Sequence, residues 1–344
     1  MSVSYSAAAV DQRSAFASGE TPARPARRPV HRSLLRTGSL LAFIAVFVAF
    51  SLASPLFLTF TNIATVIGQS AIVGILAFGL TSVIIGGGSD VVRGGIDLSL
   101  ASNLGLGSAV YASLIQAGYG DATAIVATLA VGLSVGLVNA VSIVGIGILP
   151  LLATVAVMNI CSGLELVLTQ NTAISVSTPW LDLLSGADRF GIPYLAYAIG
   201  AVAAVLIVAL QYTAYGLRLY AVGEHREAAR AAGLPVPAYV VSSYLISGLC
   251  GGIAAILYTA LLSGSTTGSS EMLLPVVATA LLGNVFSGRL LPTIGGTLLS
   301  TLLIGFLANG FQLLHVSSYW VSGIQGLLIL SVVAATSLAR RRRS

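Results

Sequence analysis

The stretch Ile63-Ala-Thr-Val-Ile-Gly-Gln-Ser-Ala-Ile-Val-Gly-Ile-Leu-Ala-Phe-Gly-Leu-Thr-Ser-Val-Ile-Ile85 contains no charged residue. As an α-helix it would rise about 34 Å, enough to cross a hydrocarbon layer of roughly 30 Å. It is far too long for a strand, which rarely exceeds about ten residues. It reads as a transmembrane helix. Nine further stretches read the same way: Leu40–Leu58, Leu98–Ala117, Ala122–Val144, Leu149–Leu168, Tyr194–Tyr212, Tyr239–Leu262, Met272–Phe286, Ile294–Leu314 and Val321–Leu338. The predicted fold is an all-α, polytopic bundle of about ten spans. The short Met272–Phe286 stretch also suits a re-entrant or broken helix.

Composition agrees. Hydrophobic residues make up 56% of the 344 and charged residues 8%, against about 25% charged in a soluble domain. Mean hydropathy is +0.96. All 16 basic residues are arginine. Six lie in the first 36 residues and four in the last five, so the net charge of +5 reads as membrane flanks rather than a nucleic-acid surface. With ten spans and a cytoplasmic N-terminus, Arg189 alone falls outside, which favours N-in, C-in topology. Residues 1–36 are expected to be a disordered cytoplasmic Arg-rich tail. Residues 37–339 are expected to form the transmembrane domain with a cytoplasmic loop at 214–237, and 340–344 the cytoplasmic tetra-Arg tail. The N-terminal stretch is long for a signal-peptide n-region, so the first span reads as uncleaved.

Cys161 and Cys250 sit in apolar stretches and read as packing residues. His31, His225 and His315 are scattered, and no metal or catalytic cluster is predicted. Asn139, Asn159 and Gln325 read as interhelical hydrogen-bonding groups, and Trp180 and Trp320 as an interfacial belt. Glu165, late in its span, reads as an interfacial charge. Asp97 has two compatible readings: an N-cap at a helix start, or a carboxylate lining a transport path beside the broken, glycine-rich stretch Gly94-Gly95.

The inner stretch Tyr215–Pro237 predicts a helix of about two and a half turns over Glu224–Ala232, roughly 13 Å long. Gly233 is placed as its C-cap and Pro235 as its stop. Such a helix suits either a groove on a partner or the lipid surface.

Glu227-Ala228-Ala229, then three residues, then Gly233 resembles the EAA-x3-G signature of permeases of ATP-binding cassette (ABC) importers. Gly94-Gly-Ile-Asp-Leu-Ser-Leu100 resembles the GGIDLSV segment of the sugar-type branch, the ribose/xylose/galactose-like permeases. Gly136-Leu-Val-Asn139 with Ile148-Leu-Pro-Leu-Leu-Ala-Thr154, and Asn309-Gly310 with Val316-Ser-Ser-Tyr-Trp320, resemble two more of its segments. The resemblance runs from about Thr65 to Leu330, in order. Leu282–Pro292 departs from the branch's GGTSLxGGxG stretch, and Ser89–Arg93 is an addition.

The resemblance implies a subunit that moves a monosaccharide or sugar alcohol across the bacterial inner membrane, with nucleosides, branched-chain amino acids and signalling furanosides as cargo of relatives. It implies a periplasmic binding protein, an ATPase subunit carrying the ATP and magnesium, and a second permease chain, identical or related. Arg218, Gly223, Arg226, Glu227, Ala228, Ala229 and Gly233 would couple to the ATPase. Gly94, Gly95, Asp97, Ser99, Asn139 and Asn309 would be substrate-path candidates. The chain has no lysine, so it holds no Walker A motif; no cofactor is expected in it, and any P-loop ATPase is a separate chain. An ion-coupled secondary transporter would carry several intramembrane carboxylates, and a membrane enzyme a cluster of His, Asp or Glu. The sequence offers neither.

Overall fold

The structure is a computed structural model that describes residues 44–45, 47–88, 94–287 and 291–316, together with 320, 323, 326 and 327. The stretch Val321–Leu338 lies largely outside the described residues, as do both termini. Seven helices among the described residues are long and apolar enough to cross a membrane.

The opening stretch forms α1, Phe60–Gly87, capped by Thr59, whose hydroxyl accepts from the Asn62 N–H. Helix α2 is Leu100–Gln116, and α3 is Asp121–Ala140 continued by a π-turn at Val141–Gly145. Helix α4 is Pro150–Thr169, opened by proline at its first position. A polar crossing follows, with strand β1 at Ile174–Ser175 and helix α5 at Pro179–Ser185. Helix α6 is Tyr194–Gln211. Helices α7, Ala214–Glu224, and α8, Arg226–Ala231, lie at one end of the bundle. Helix α9 is Val236–Leu262, and strand β2, Gly264–Ser265, pairs antiparallel with β1 at the opposite end. A 3-10 turn at Ser269–Met272 leads into α10, Leu273–Phe286, and α11 is Ile294–Leu313.

Helix α1 is the axis of the bundle, with 94% of its most apolar window buried inside the protein, against 28% for α4 and for α6. All three are similarly apolar, and lipid rewards apolarity as well as protein does. What distinguishes the inner helices is small residues that let backbones approach. On α3, Gly132 and Gly136 face Gly248 and Gly252 of α9; a Cβ on Gly248 would lie 2.3 Å from the Gly132 carbonyl oxygen. Buried hydroxyls and amides then bond across helices. Thr81 pairs with Thr297 at 2.8 Å, Thr259 donates to Ser108 at 2.9 Å, and the Asn103 amide donates to the Gly248 carbonyl at 3.2 Å.

The first predicted span, Leu40–Leu58, is helical over 47–53 and ends before Pro55. Phe50, Phe57 and Phe306 are buried together there, and the Phe50 ring covers Gly310.

Two expectations need correction. The helix expected over Glu224–Ala232 is split at His225, where φ −146° and ψ 86° end α7. The second piece, α8, is only six residues, about 9 Å. Glu165 is no interfacial charge: it is 4% exposed, and the Ser269 hydroxyl donates to its Oε2 at 3.2 Å. Gly105 on α2 leaves the room for it, since a Cβ there would lie 2.3 Å from Oε2.

Candidate functional site

Between α1 and α2 the described residues, Gly88 and Gly94–Ser99, are not helical. After Gly88, at φ +86°, the chain returns along α1 with Gly95 donating to the Gly88 carbonyl at 3.1 Å. The turn-back is tight: a Cβ on Gly95 would lie 2.0 Å from the Val83 carbonyl oxygen. Gly95 is therefore a packing glycine of a buried, non-helical entry to α2, with Gly94 buried beside it. Non-helical backbone at this depth is tolerated only inside protein or beside a cavity. The Tyr244 hydroxyl, reaching from α9, donates to the backbone carbonyl of Ile96 at 3.2 Å.

Asp97 lies on this non-helical segment and is 2% exposed. Its Oδ1 accepts from the Ser99 N–H at 3.0 Å, the Ser99 hydroxyl at 2.6 Å and the Asn139 amide at 3.4 Å. Its Oδ2 accepts from the Ser247 hydroxyl at 2.7 Å. Asn139 also donates to Ser99 Oγ at 2.8 Å. The N-cap position of α2 is Ser99, so Asp97 bonds the cap residue's N–H and not the helix's own first turn. One carboxylate thus joins the broken segment to α3 through Asn139 and to α9 through Ser247. Of the path candidates, Gly94, Gly95, Asp97, Ser99 and Asn139 come together here. Asn309 stands at the opposite end of α1, exchanging amide hydrogen bonds of 2.9 and 3.1 Å with Asn62.

The second locus is α7–α8. Gly223 presses on the end of α1; a Cβ would lie 1.8 Å from the Ile85 carbonyl oxygen. The Arg226 guanidinium donates to the Gly87 carbonyl at 3.0 Å, satisfying an end-of-helix acceptor of α1. The Tyr220 hydroxyl donates to the Pro292 carbonyl at 2.6 Å just ahead of α11. Burial pushes that phenol up to about 12, so it remains a donor at any physiological pH. Tyr215 shares a 2.7 Å bond with Ser242 of α9. Two spans and the connector just ahead of α11 therefore grip one short unit.

Helix α8 ends in a Schellman arrangement. Gly233, at φ +81°, donates to the Arg230 carbonyl, and Leu234 to that of Ala229. Ala229 is buried with Val236, Val240 and Leu234. Arg218, Glu227, Ala228 and Gly233 are exposed. Among the coupling candidates, Gly223, Arg226 and Ala229 bind the unit to its own bundle, and the others face outward.

A family model described as "Branched-chain amino acid transport system / permease component" matches residues 62–333. The chain belongs to this permease family. The permease is 34% identical to the ribose import permease protein of Bacillus subtilis, covering 87% of this chain and 91% of that one. The corresponding ribose protein of Escherichia coli (strain K12) is 31% identical, over 87% and 93%. An L-arabinose ABC transporter permease protein of Azospirillum brasilense is 30% identical, over 94% and 93%. The permease is thus a multi-pass membrane protein and a permease of the ABC importer class.

The permease's Ser247, Tyr244 and Glu165–Ser269 contacts were not singled out in sequence. A signal existed for one part: Gly-x3-Gly inside two apolar stretches marks a close helix crossing. Asp97→Asn tests the permease's polar node. The amide retains the shape and one acceptor, but its NH2 group cannot accept from Ser99 or Ser247 as a carboxylate oxygen does. We expect folded permease, with a loss of about 1–2 kcal/mol in thermal or denaturant unfolding and slowed uptake. Wild-type stability and uptake together would remove Asp97 from any structural or path role.

Proposed function

We propose that this permease is one membrane-spanning subunit of an ATP-driven importer for a monosaccharide or sugar alcohol in the bacterial inner membrane. A periplasmic binding protein would deliver the cargo, a separate ATPase subunit would supply the energy, and a second permease chain would complete the pore. The observation that carries this reading is the α7–α8 unit. It is fastened to α1, to α9 and to the connector just ahead of α11 at its base, and it presents Glu227, Ala228 and Gly233 outward on a capped turn. A load applied at that turn would reach two spans and that connector at once. The names of the relatives, two for ribose and one for L-arabinose, support the cargo class.

In this reading α7–α8 faces the cytoplasm, the protein has about ten spans, and both termini are inside; the arginine distribution supports that orientation. Gly94, Gly95, Asp97, Ser99 and Asn139 build the wall of the substrate path rather than a surface pocket, and Asn309 braces its outer end. Arg218, Glu227, Ala228 and Gly233 meet the ATPase.

Purification in mild detergent with the ATPase and binding protein co-expressed tests the reading. The expected result is an ATPase subunit that copurifies, and uptake of a labelled pentose in proteoliposomes that requires ATP. Uptake by the permease alone that collapses with a protonophore would replace the importer by an ion-coupled carrier.

A further inference from the structure

Helices α4 and α6 are buried to the same extent, 28% of the most apolar window of each, and are similarly apolar. Both turn most of their surface out of the bundle, but their outward faces differ in chemistry. Along α6 the exposed residues from Gly200 to Val208 are glycine, alanine and valine, as lipid demands. Along α4 one stripe at helical spacing reads Leu152, Ala156, Asn159, Gly163 and Leu166, all exposed.

Asn159 is the tenth of the twenty residues of α4, at the middle of the span. The sequence reading had it bonding across helices. Instead its amide donates at 2.8 Å to the Val155 carbonyl, one turn back on its own helix. Its Oδ1 and second N–H have no partner among the described residues. Lipid supplies neither donor nor acceptor, so a polar group left to it is costly. The adjoining surface is not in lipid either. Ser269 bonds Glu165 of α4 and lies against Gly105, eleven residues before α2 ends at Gln116. That is about 16 Å along the axis of α2. Two residues on from Ser269, Glu271 is exposed. A carboxylate at such depth is turned to water or to protein.

The amide also selects the occupant. Asparagine carries a donor and an acceptor side by side, so it complements itself. Asn62 and Asn309 already form such a reciprocal pair within the chain, at 2.9 and 3.1 Å. A two-fold axis brings the same patch of two copies together, and Asn159 of each would meet Asn159 of the other. The flanking residues permit the approach. Ala156 ends at its Cβ, and a Cβ built on Gly163 meets nothing within 4 Å; small residues at this spacing let membrane helices close. An unlike chain would need its own matched amide at that one level. We propose that the Leu152–Leu166 face of α4 packs against the same face of a second copy of this chain, with the two Asn159 amides paired across the axis. This rests on the importer reading, which calls for a second permease chain, and makes that chain identical to this one.

Cysteine cross-linking of the full-length permease in native membranes tests it. The native Cys161 and Cys250 are buried, so the wild type is expected to run as a monomer on a denaturing gel after mild oxidation. Asn159→Cys is expected to form a disulfide dimer. Val205→Cys, at a 66% exposed position on α6, is not. Two copies with different tags, produced together, are expected to copurify. Asn159→Leu is expected to weaken that association about tenfold, the loss of two interhelical hydrogen bonds, with insertion unchanged. Monomeric Asn159→Cys, equal cross-linking of the two cysteine variants, or a disulfide to a different polypeptide each overturns the proposal. So does an Asn159→Leu variant that associates as wild type, or tagged copies that never copurify. These readouts need neither ATP nor sugar. A cross-linked dimer with no ATP-driven uptake would overturn the importer reading and leave the α4 contact standing.

Discussion

Gly248→Leu is expected to abolish recovery of folded permease, while Gly200→Leu leaves recovery unchanged. The difference lies in what each side chain meets. A Cβ on Gly248 would lie 2.3 Å from the Gly132 carbonyl oxygen and 3.0 Å from the Gly136 backbone, whereas at Gly200 nothing lies within 4 Å. The obstacle at Gly248 is backbone, which no rotamer change can move. Within a membrane, apolar surface alone does not hold two helices together; close packing and interhelical hydrogen bonds do. Forcing α9 off α3 removes that packing and also pulls the Gly248 carbonyl from the Asn103 amide. Overpacking a side chain against movable neighbours costs about 1–3 kcal/mol, and a rigid neighbour places this case at or above that limit. The total stability of a protein is only about 5–15 kcal/mol. The measurement is monodisperse yield and unfolding midpoint in detergent. A midpoint within a degree of wild type for Gly248→Leu would mean that α3 and α9 do not cross closely.

The spans were legible because lipid imposes a length and a composition on each one separately. Ala122–Val144 was expected and Asp121–Gly145 is found; Tyr194–Tyr212 was expected and Tyr194–Gln211 is found. What lipid does not impose is which side of a helix faces which neighbour. Glu165 was placed correctly along its span but not around it, and its burial depends on Gly105, sixty residues earlier on another helix. Asp97 was seen as a helix start because the hydropathy of the segment rises there. The helix begins three residues later, since Gly95 must first clear Val83. The break at His225 was hidden by strong helix formers on either side. Local propensity is continuous there, but Gly223 is held against α1 and Ala229 among α9 residues, and one straight helix would not reach both. Ser247 and Tyr244 carry no motif at all; they matter through what the fold sets opposite them.

Gly223→Ala and Gly233→Ala form the second informative pair, since both glycines belong to the predicted ATPase-coupling set and are glycine for different reasons. At Gly233 nothing lies within 4 Å of a built Cβ, but φ is +81°. The substitution costs about 1 kcal/mol of left-handed strain and leaves α8 where it is. At Gly223 the Cβ would meet the Ile85 carbonyl at 1.8 Å and approach the Gly88 N–H at 3.3 Å. The α7–α8 unit must then lift from α1, which also stretches the 3.0 Å bond from Arg226 to the Gly87 carbonyl. A displacement of about 1 Å in a positioned element can cost about a hundredfold in a coupled process. Gly223→Ala is therefore expected to lose sugar uptake about a hundredfold while ATP hydrolysis by the assembled complex continues. Gly233→Ala is expected to retain uptake within about a few fold, because its strain leaves the grip on α1 intact. Uptake and hydrolysis are measured together in proteoliposomes, with an antibody or tag confirming equal insertion. Equal uptake by the two variants would sink the idea that force passes through the Gly223 contact. In that case the surface of α8 alone, through Glu227 and Ala228, would have to carry the coupling.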